Sequence, residues 1–258
     1  METIEVDRAD GVVTVTLNRP ERKNAIIATT WHELTATFRE VAVNKADRVL
    51  VLTGANGDFC SGADLSPGAG GAEESTGLDG MRLATECCLA LHRLPKPTIA
   101  KIPGVAVGVG CNLALGCDLI VAGEAARFSE IFVRRGLAID GGGSWLLPRL
   151  IGLHKAKELA FFGDVISAAD AERIGIVNRV VPDDQLDKFV DEWSLRLANL
   201  PPIQLSAIKS QLNNSFLATM EKALEDEGWQ QSVNLKTNDF KEAVRAFLQK
   251  DTPKFQGN

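Results

Sequence analysis

The sequence predicts an α/β core followed by a helical tail, and three observations carry that expectation. Short β-branched apolar runs alternate with segments of helical periodicity from Thr3 to Ala198. Two of those runs, Arg48–Thr53 and Leu119–Ala122, are nearly continuous in apolar residues, as in parallel strands buried on both faces. Pro201-Pro202 then marks a boundary, beyond which Ile203 to Leu248 is helical by composition and pattern with no strand signal. The chain therefore divides into an α/β core, residues 1–200, and a helical region, residues 201–258.

Thr3 to Asp7 and Val12 to Leu17 alternate and are β-branched, and Ala9-Asp10-Gly11 between them is a hairpin signal. Asn18-Arg19-Pro20 ends the second strand. Thr30 with Glu33 makes a capping-box pattern, so a helix is expected from there, with Trp31, Leu34, Phe38 and Val41 at helical spacing. After strand Arg48–Thr53, Gly54 to Leu65 is a loop rich in turn formers. Ser66 to Gly77 has hardly any large apolar group and is expected to be exposed and mobile. Leu78 to Leu94 is the next helix.

Thr98 to Asp118 forms the centre of the chain. It opens as a β-branched run, breaks at Pro103-Gly104, passes through Gly108 and Gly110, and takes on the Leu/Ala composition of a buried helix. That order reads as strand, glycine turn, helix. The first N–H groups of such a helix have no intrahelical partner, and glycines let a ligand approach them, so an anion or oxyanion site is expected here. Leu119–Ala122 is a strand, Phe128 to Val133 is ambiguous, and Gly136 to Trp145 is a turn into a helix with Asp140 at or near its N-cap. His154 to Phe162, Ala168 to Ile174 and Asp183 to Ala198 read as further helices, the second capped by Ser167, with a strand at Ile176 to Val181.

Composition excludes several function classes. Lys and Arg total 28 against 34 Asp and Glu, a net charge of -6, and no basic run could lie along a phosphate backbone, so no nucleic-acid partner is expected. The longest uncharged run, Ile102 to Cys117, is broken by glycines and falls short of the roughly 20 apolar residues a membrane span needs. The N-terminus carries no secretion signal. Five cysteines, odd in number and without a Cys-x-x-Cys pair, argue against a disulfide framework and a zinc site, and a reducing cytoplasm fits them best. The scattered His32, His92 and His154 give no metal-ligand spacing. Gly108-x-Gly110-x-x-Leu113 lacks the third glycine of a dinucleotide fingerprint, and Gly143-Ser144-Trp145 is not a nucleophile elbow.

Six segments taken together resemble the enoyl-CoA hydratase/isomerase (crotonase) family. They are Leu17 to Ala25, Phe59 to Leu65, Pro95-Lys96-Pro97 leading to Gly104 through Cys111, Cys117-Asp118, Gly136 to Pro148, and the tail Phe247 to Phe255. The resemblance implies a ClpP-like α/β spiral of repeated ββα units with a C-terminal helical region that packs in trimers, often paired into hexamers. It also implies an acyl-CoA thioester substrate whose carbonyl is held between two backbone N–H groups, here Ala63 and Val109. Ser61, Gly62, Asp64 and Leu65 flank the first of these in the same motif. Most relatives carry glycine where Val109 stands. Lys23, Asn24 and Ala25 match the segment near the adenine of coenzyme A, and Lys250 matches a tail lysine that approaches its phosphates from a neighbouring subunit. Coenzyme A is part of the substrate, so no metal or separate cofactor is implied.

The departure from the family lies in its acid/base groups. Family hydratases use two glutamates, and the matching positions hold Asn112 and Phe132, neither of which exchanges a proton. Glu130 is a substitute only through a shifted alignment. Asp140 matches an aspartate used by some family isomerases, among them the ring-epoxidised phenylacetyl-CoA isomerase, and one carboxylate suffices to move a proton between the α- and γ-carbons of an enoyl thioester. Asp is also a preferred N-cap, so both readings of Asp140 stand at this point. Leu65, Phe132, Leu137 and Trp145 are the expected lining of the acyl pocket. The resulting expectation is an acyl-CoA isomerase, with an enoyl-CoA hydratase or a non-catalytic acyl-CoA binder as alternatives.

Overall fold

The computed structural model describes residues 1–66 and 77–258; most of the segment expected to be mobile, Ser66 to Gly77, lies outside them. The chain opens with hairpin β1 (Ile4–Ala9) and β2 (Val12–Leu17), antiparallel, with Ala9 opposite Val12. Asp10 and Gly11 both have positive φ (50° and 80°), which is the two-residue turn whose twist matches that of the strands. Then come α1 (Ala28–Val43), β3 (Val49–Gly54), α2 (Gly77–His92), β4 (Thr98–Ile102), β5 (Val105–Val107) and α3 (Val109–Leu115). These are followed by β6 (Leu119–Gly123), β7 (Arg127–Ser129), α4 (Gly143–Phe162), β8 (Ile166–Ser167), α5 (Ala168–Ile174), β9 (Arg179–Val181) and α6 (Leu186–Ala198). The tail is α7 (Pro202–Asn214), α8 (Met220–Asn234) and α9 (Asn238–Gln249).

The larger sheet runs β1-β2-β3-β4-β6-β9, parallel from β2 onward, and the smaller runs β5-β7-β8. The central ββα units β4–β5–α3 and β6–β7–α4 thus send their first strand to the larger sheet and their second to the smaller, whereas β1 and β2 before α1 both lie in the larger sheet. The spiral expected from the resemblance is present. The step between sheets at Pro103-Gly104 needs glycine, because a Cβ on Gly104 would lie 2.1 Å from the Gly57 carbonyl oxygen. Val105–Val107, which reads in sequence as part of the turn, is a strand of the second sheet.

Both faces of the larger sheet are covered, as the continuous apolar runs imply. Leu50, Leu52, Ala100, Ile102 and Ile120 face the main core with Leu34, Phe38 and Phe59, while Val49, Val51, Ile99 and Val121 pack against Leu186 and Val190 of α6.

Four element readings change. First, α1 starts at Ala28, so Thr30 is its third residue and its Oγ1 accepts the Ile27 N–H, while Glu33 accepts the N–H groups of Glu2 (2.6 Å) and Thr3 (2.9 Å) and pins the N-terminus. Second, only Arg179–Val181 of the expected strand pairs; the Ile176 and Val177 N–H groups instead bond the Ala171 carbonyl and close α5. Third, the ambiguous Phe128–Val133 divides into the end of β7 and a 3-10 turn, Ile131–Arg135, closed by Gly136 at φ 70°. Fourth, His154–Phe162 is the second half of α4, broken at Gly152 (φ 76°).

Candidate active site

The loop between β3 and α2 is laid along β5. The N–H groups of Phe59 and Cys60 bond the Val105 carbonyl, and the Val107 N–H bonds the Cys60 carbonyl at 2.9 Å. This stitching brings Gly62-Ala63 to the start of α3, so that a Cβ on Gly62 would lie 3.0 Å from the Val107 carbonyl oxygen and 3.9 Å from the Val109 nitrogen. Gly108 makes the turn into α3 with φ 56° and ψ -130°, a conformation open to glycine. Val109 is the first helical residue, so its N–H has no intrahelical partner. Among the described residues no acceptor meets the N–H of either Ala63 or Val109.

A second segment closes the other side. The Ile26 N–H bonds the Gly62 carbonyl (2.8 Å), the Asp64 N–H bonds Ile26, and the Ser61 N–H bonds Lys23 (3.0 Å). Ser61 Oγ donates to the Arg22 carbonyl. Arg19 bonds both Asp64 (3.0 Å) and the buried Ala25 through its carbonyl. Hydrogen bonds from Ser66 and Arg19 hold the Asp64 carboxyl down at about 2. Asn24 is buried in a left-handed conformation (φ 58°), with its side chain committed to Arg19, Ala55 and Asp58. Its exposed neighbour Lys23 lies 3.5 Å from Asp58. Lys250 caps α9 at the far end of the chain.

The third wall is the turn 140–143, which sits directly on α3. Asn112 is fully buried, and its Nδ2 donates to the Asp140 carbonyl at 2.9 Å and lies 3.4 Å from Glu130 Oε2. The glycines allow this approach: a Cβ on Gly143 would fall 2.3 Å from Asn112 Oδ1, and one on Gly141 (φ 59°) 2.8 Å from Val109 Cγ2. The N-cap of α4 is Gly142, with no side-chain capping bond. Asp140 therefore does not cap the helix with its carboxylate. Its carbonyl accepts the Gly143 N–H (3.0 Å), while its side chain is half-buried, with Oδ1 meeting no donor among the described residues. Burial raises the pKa of this carboxyl above the usual aspartate value, favouring the protonated form. Glu130 is 2% exposed, and burial pushes it up to about 7. Phe132 is buried beside Gly108.

A cavity of about 600 Å³ opens beside Asn112 and Gly141. Its walls come from Met81, Thr85 and Cys88 of α2, from Trp145, and from Asn213 and Leu217 at the end of α7 and just beyond it. The Trp145 ring is fixed from two sides, by the edge of His92 (5.4 Å between ring centres) and by the Arg149 guanidinium stacked at 4.0 Å. Of the four apolar residues singled out from sequence, Trp145 lines this cavity; Leu65 and Leu137 are 63% and 52% exposed in the single chain. The contributions of α2 and α7 carry no sequence signal, because ordinary helical apolar positions do not reveal which neighbour they face.

The comparisons with known proteins agree with this architecture. The family model described as enoyl-CoA hydratase/isomerase matches residues 7–258. The chain is 36% identical over 260 residues to the 1,2-epoxyphenylacetyl-CoA isomerase of Escherichia coli K12, covering 100% of this chain and 99% of that protein. It is 33% identical to the 2,3-dehydroadipyl-CoA hydratase of the same organism, covering all of both. Among solved structures, an enoyl-CoA hydratase from Bacillus anthracis superposes with a TM-score of 0.95 at 32% identity, over 99% of this chain and 100% of that one. With a family match over nearly its whole length, and a full-length structural likeness at this identity, the chain belongs to the enoyl-CoA hydratase/isomerase family.

Proposed function

We propose that the chain is an enoyl-CoA isomerase that shifts a double bond through an enolate. The observation that carries this reading is Asp140: its carboxylate does no capping, is raised toward protonation by burial, and leaves Oδ1 without a donor among the described residues. In the proposed reaction the thioester oxygen accepts hydrogen bonds from the Ala63 and Val109 N–H groups. Asp140 removes a proton from the α-carbon of a 3-enoyl thioester, giving a dienolate whose charge reaches that oxygen. The same proton returns at the γ-carbon, leaving the 2-enoyl isomer with Asp140 ionised again. Asn112 and Phe132 shape the pocket and take no proton.

The acyl group occupies the cavity beside Trp145, and coenzyme A runs along Lys23, Asn24 and Ala25, with the exposed Lys23 supplying a positive charge and Asn24 holding the backbone. Coenzyme A arrives with the substrate, and no other cofactor enters the steps. A homotrimer, or a hexamer of two, is supported by the apolar residues left open on the tail, such as Trp229 at 69% and Phe247 at 83% exposure. In such an assembly Lys250 of a neighbouring copy reaches the phosphates. Among the described residues no helix is long and apolar enough to cross a membrane, and a cytoplasmic location is proposed with it.

The test is incubation of the purified protein with 3-enoyl-CoA and, separately, 2-enoyl-CoA in deuterated water, with Asp140→Asn as control and products read by mass spectrometry. Conversion of the 3-enoyl to the 2-enoyl form, lost in the variant, is the expected result. Rapid 3-hydroxyacyl-CoA formation from the 2-enoyl substrate refutes it in favour of a hydratase. Binding without conversion or deuterium uptake leaves a non-catalytic binder.

A further inference from the structure

Glu130 is a buried carboxyl beside Asn112 that these steps leave unused. Its side chain is enclosed beneath α3, at 2% exposure, with Oε1 meeting no donor. The Asn112 amide stands between it and the reacting carboxylate: Nδ2 carries two hydrogens, and its neighbours are the Asp140 carbonyl at 2.9 Å and Glu130 Oε2 at 3.4 Å. The amide is held rigidly from above, since the absent Cβ of Gly143 is the space its Oδ1 occupies. Three buried polar atoms in this cluster, Asn112 Oδ1, Glu130 Oε1 and Asp140 Oδ1, have no hydrogen-bond partner among the described residues. A set so sparsely bonded is sensitive to the charge on any member.

We propose that Glu130 is a positioning residue that works in its neutral form, seating the Asn112 amide that fixes the Asp140 peptide. The inference rests on the reading of Asp140 as the proton carrier. The balance of the surroundings of Glu130 favours neutrality. Enclosure comes first, and the like-charged Asp140 of the 140–143 turn adds to it; the Asn112 amide and the buried Cys111 thiol of α3, itself held well above its usual range, act the other way and favour the ionised form. On its own segment, Arg134 is turned away to Asp164 and the Phe162 carbonyl. Burial then sets the change of charge at about 7. Above that point a second negative charge opposes both the Asp140 carboxylate and the enolate, so turnover falls as pH rises.

The test compares wild type, Glu130→Gln and Glu130→Ala as the intact protein, first by thermal unfolding to establish that each is folded. Carbon-13 NMR of carboxyl-labelled Glu and Asp then follows Glu130 and Asp140, each assigned by loss of its signal in Glu130→Gln and Asp140→Asn. The Glu130 signal is expected to titrate near pH 7, and the Asp140 signal to move with it in wild type but not in Glu130→Gln. In turnover, Glu130→Ala is expected to lower kcat about tenfold or more with KM within about twofold, as a displaced reacting group does. Glu130→Gln restores most of that loss at pH 6 and lacks the decline above pH 7. A Glu130 signal already ionised at pH 6, an Asp140 signal blind to Glu130, or a Glu130→Gln profile that still falls above pH 7 each overturns the proposal. The NMR arm reads Glu130 without turnover, so absence of isomerase activity refutes the proposed function and is distinguishable from failure here.

Discussion

Replacing Glu130 by glutamine makes the protein more stable at neutral and alkaline pH and leaves it nearly unchanged in acid. In the unfolded chain this carboxyl ionises near the ordinary 4.5, whereas in the folded protein burial delays ionisation to about 7. Between those values the unfolded state releases its proton and the folded state keeps it, so the folded state binds more protons and stability falls as pH rises. The loss begins near 4.5, is nearly complete at about 7, and stays level above. At 1.36 kcal/mol per pKa unit, the gap between those values gives about 3 kcal/mol at full extent. Glutamine does not ionise and fills nearly the same volume, so it escapes this loss. The assay is urea unfolding of both proteins at matched concentration across pH 4 to 9, following the difference in ΔG. A difference growing from near zero to about 3 kcal/mol supports the linkage. A difference independent of pH, or one of opposite slope, shows that Glu130 is ionised in the folded state and refutes the reasoning.

Further outcomes follow from the same geometry. Asp140→Asn keeps the backbone carbonyl that bonds Gly143 and Asn112 and is not the helix cap, so unfolding should show no loss of stability, while kcat for isomerisation falls by about 10²- to 10⁴-fold. Gly143→Ala forces a Cβ to within 2.3 Å of Asn112 Oδ1, and denaturant unfolding should register a cost of about 1–3 kcal/mol. Asn24→Ala leaves the Ala55 and Asp58 carbonyls without their donor and should lower stability by about 1–3 kcal/mol. By contrast Lys23→Ala, at an exposed side chain, should leave the unfolding midpoint unmoved and weaken coenzyme A binding measured by calorimetry.

Much of the architecture is legible in the chain because local patterns report burial and turn geometry. Asp10-Gly11 announces a hairpin since few other pairs tolerate two positive φ angles, and the continuous apolar runs of β3 and β6 announce strands covered on both faces. Ser167 caps α5 where its sequence places it. The capping pattern at Thr30 and Glu33 misleads, because the same two residue types are used there for a third-position contact and for a tether thirty residues away. The strand signal at Ile176–Val181 misleads for a related reason: apolar β-branched residues mark burial, and these are buried in closing a helix.

By itself the sequence determined the order of the larger-sheet strands and the main helices, the glycine turn that opens α3, and which positions lack a proton-exchanging group, since these depend on residue type and near neighbours alone. Only the tertiary structure decided what Asp140 is free to do. Capping is settled by whether a side-chain oxygen reaches the helix N–H groups, and here Gly142 holds that place while Asn112, from another helix, takes the Asp140 carbonyl. The closeness of Glu130 to the same amide, and the cavity between α2, Trp145 and α7, are likewise matters of packing between segments far apart in the chain. Burial and mutual distance set the behaviour of a charge, and neither is written in the residue that carries it.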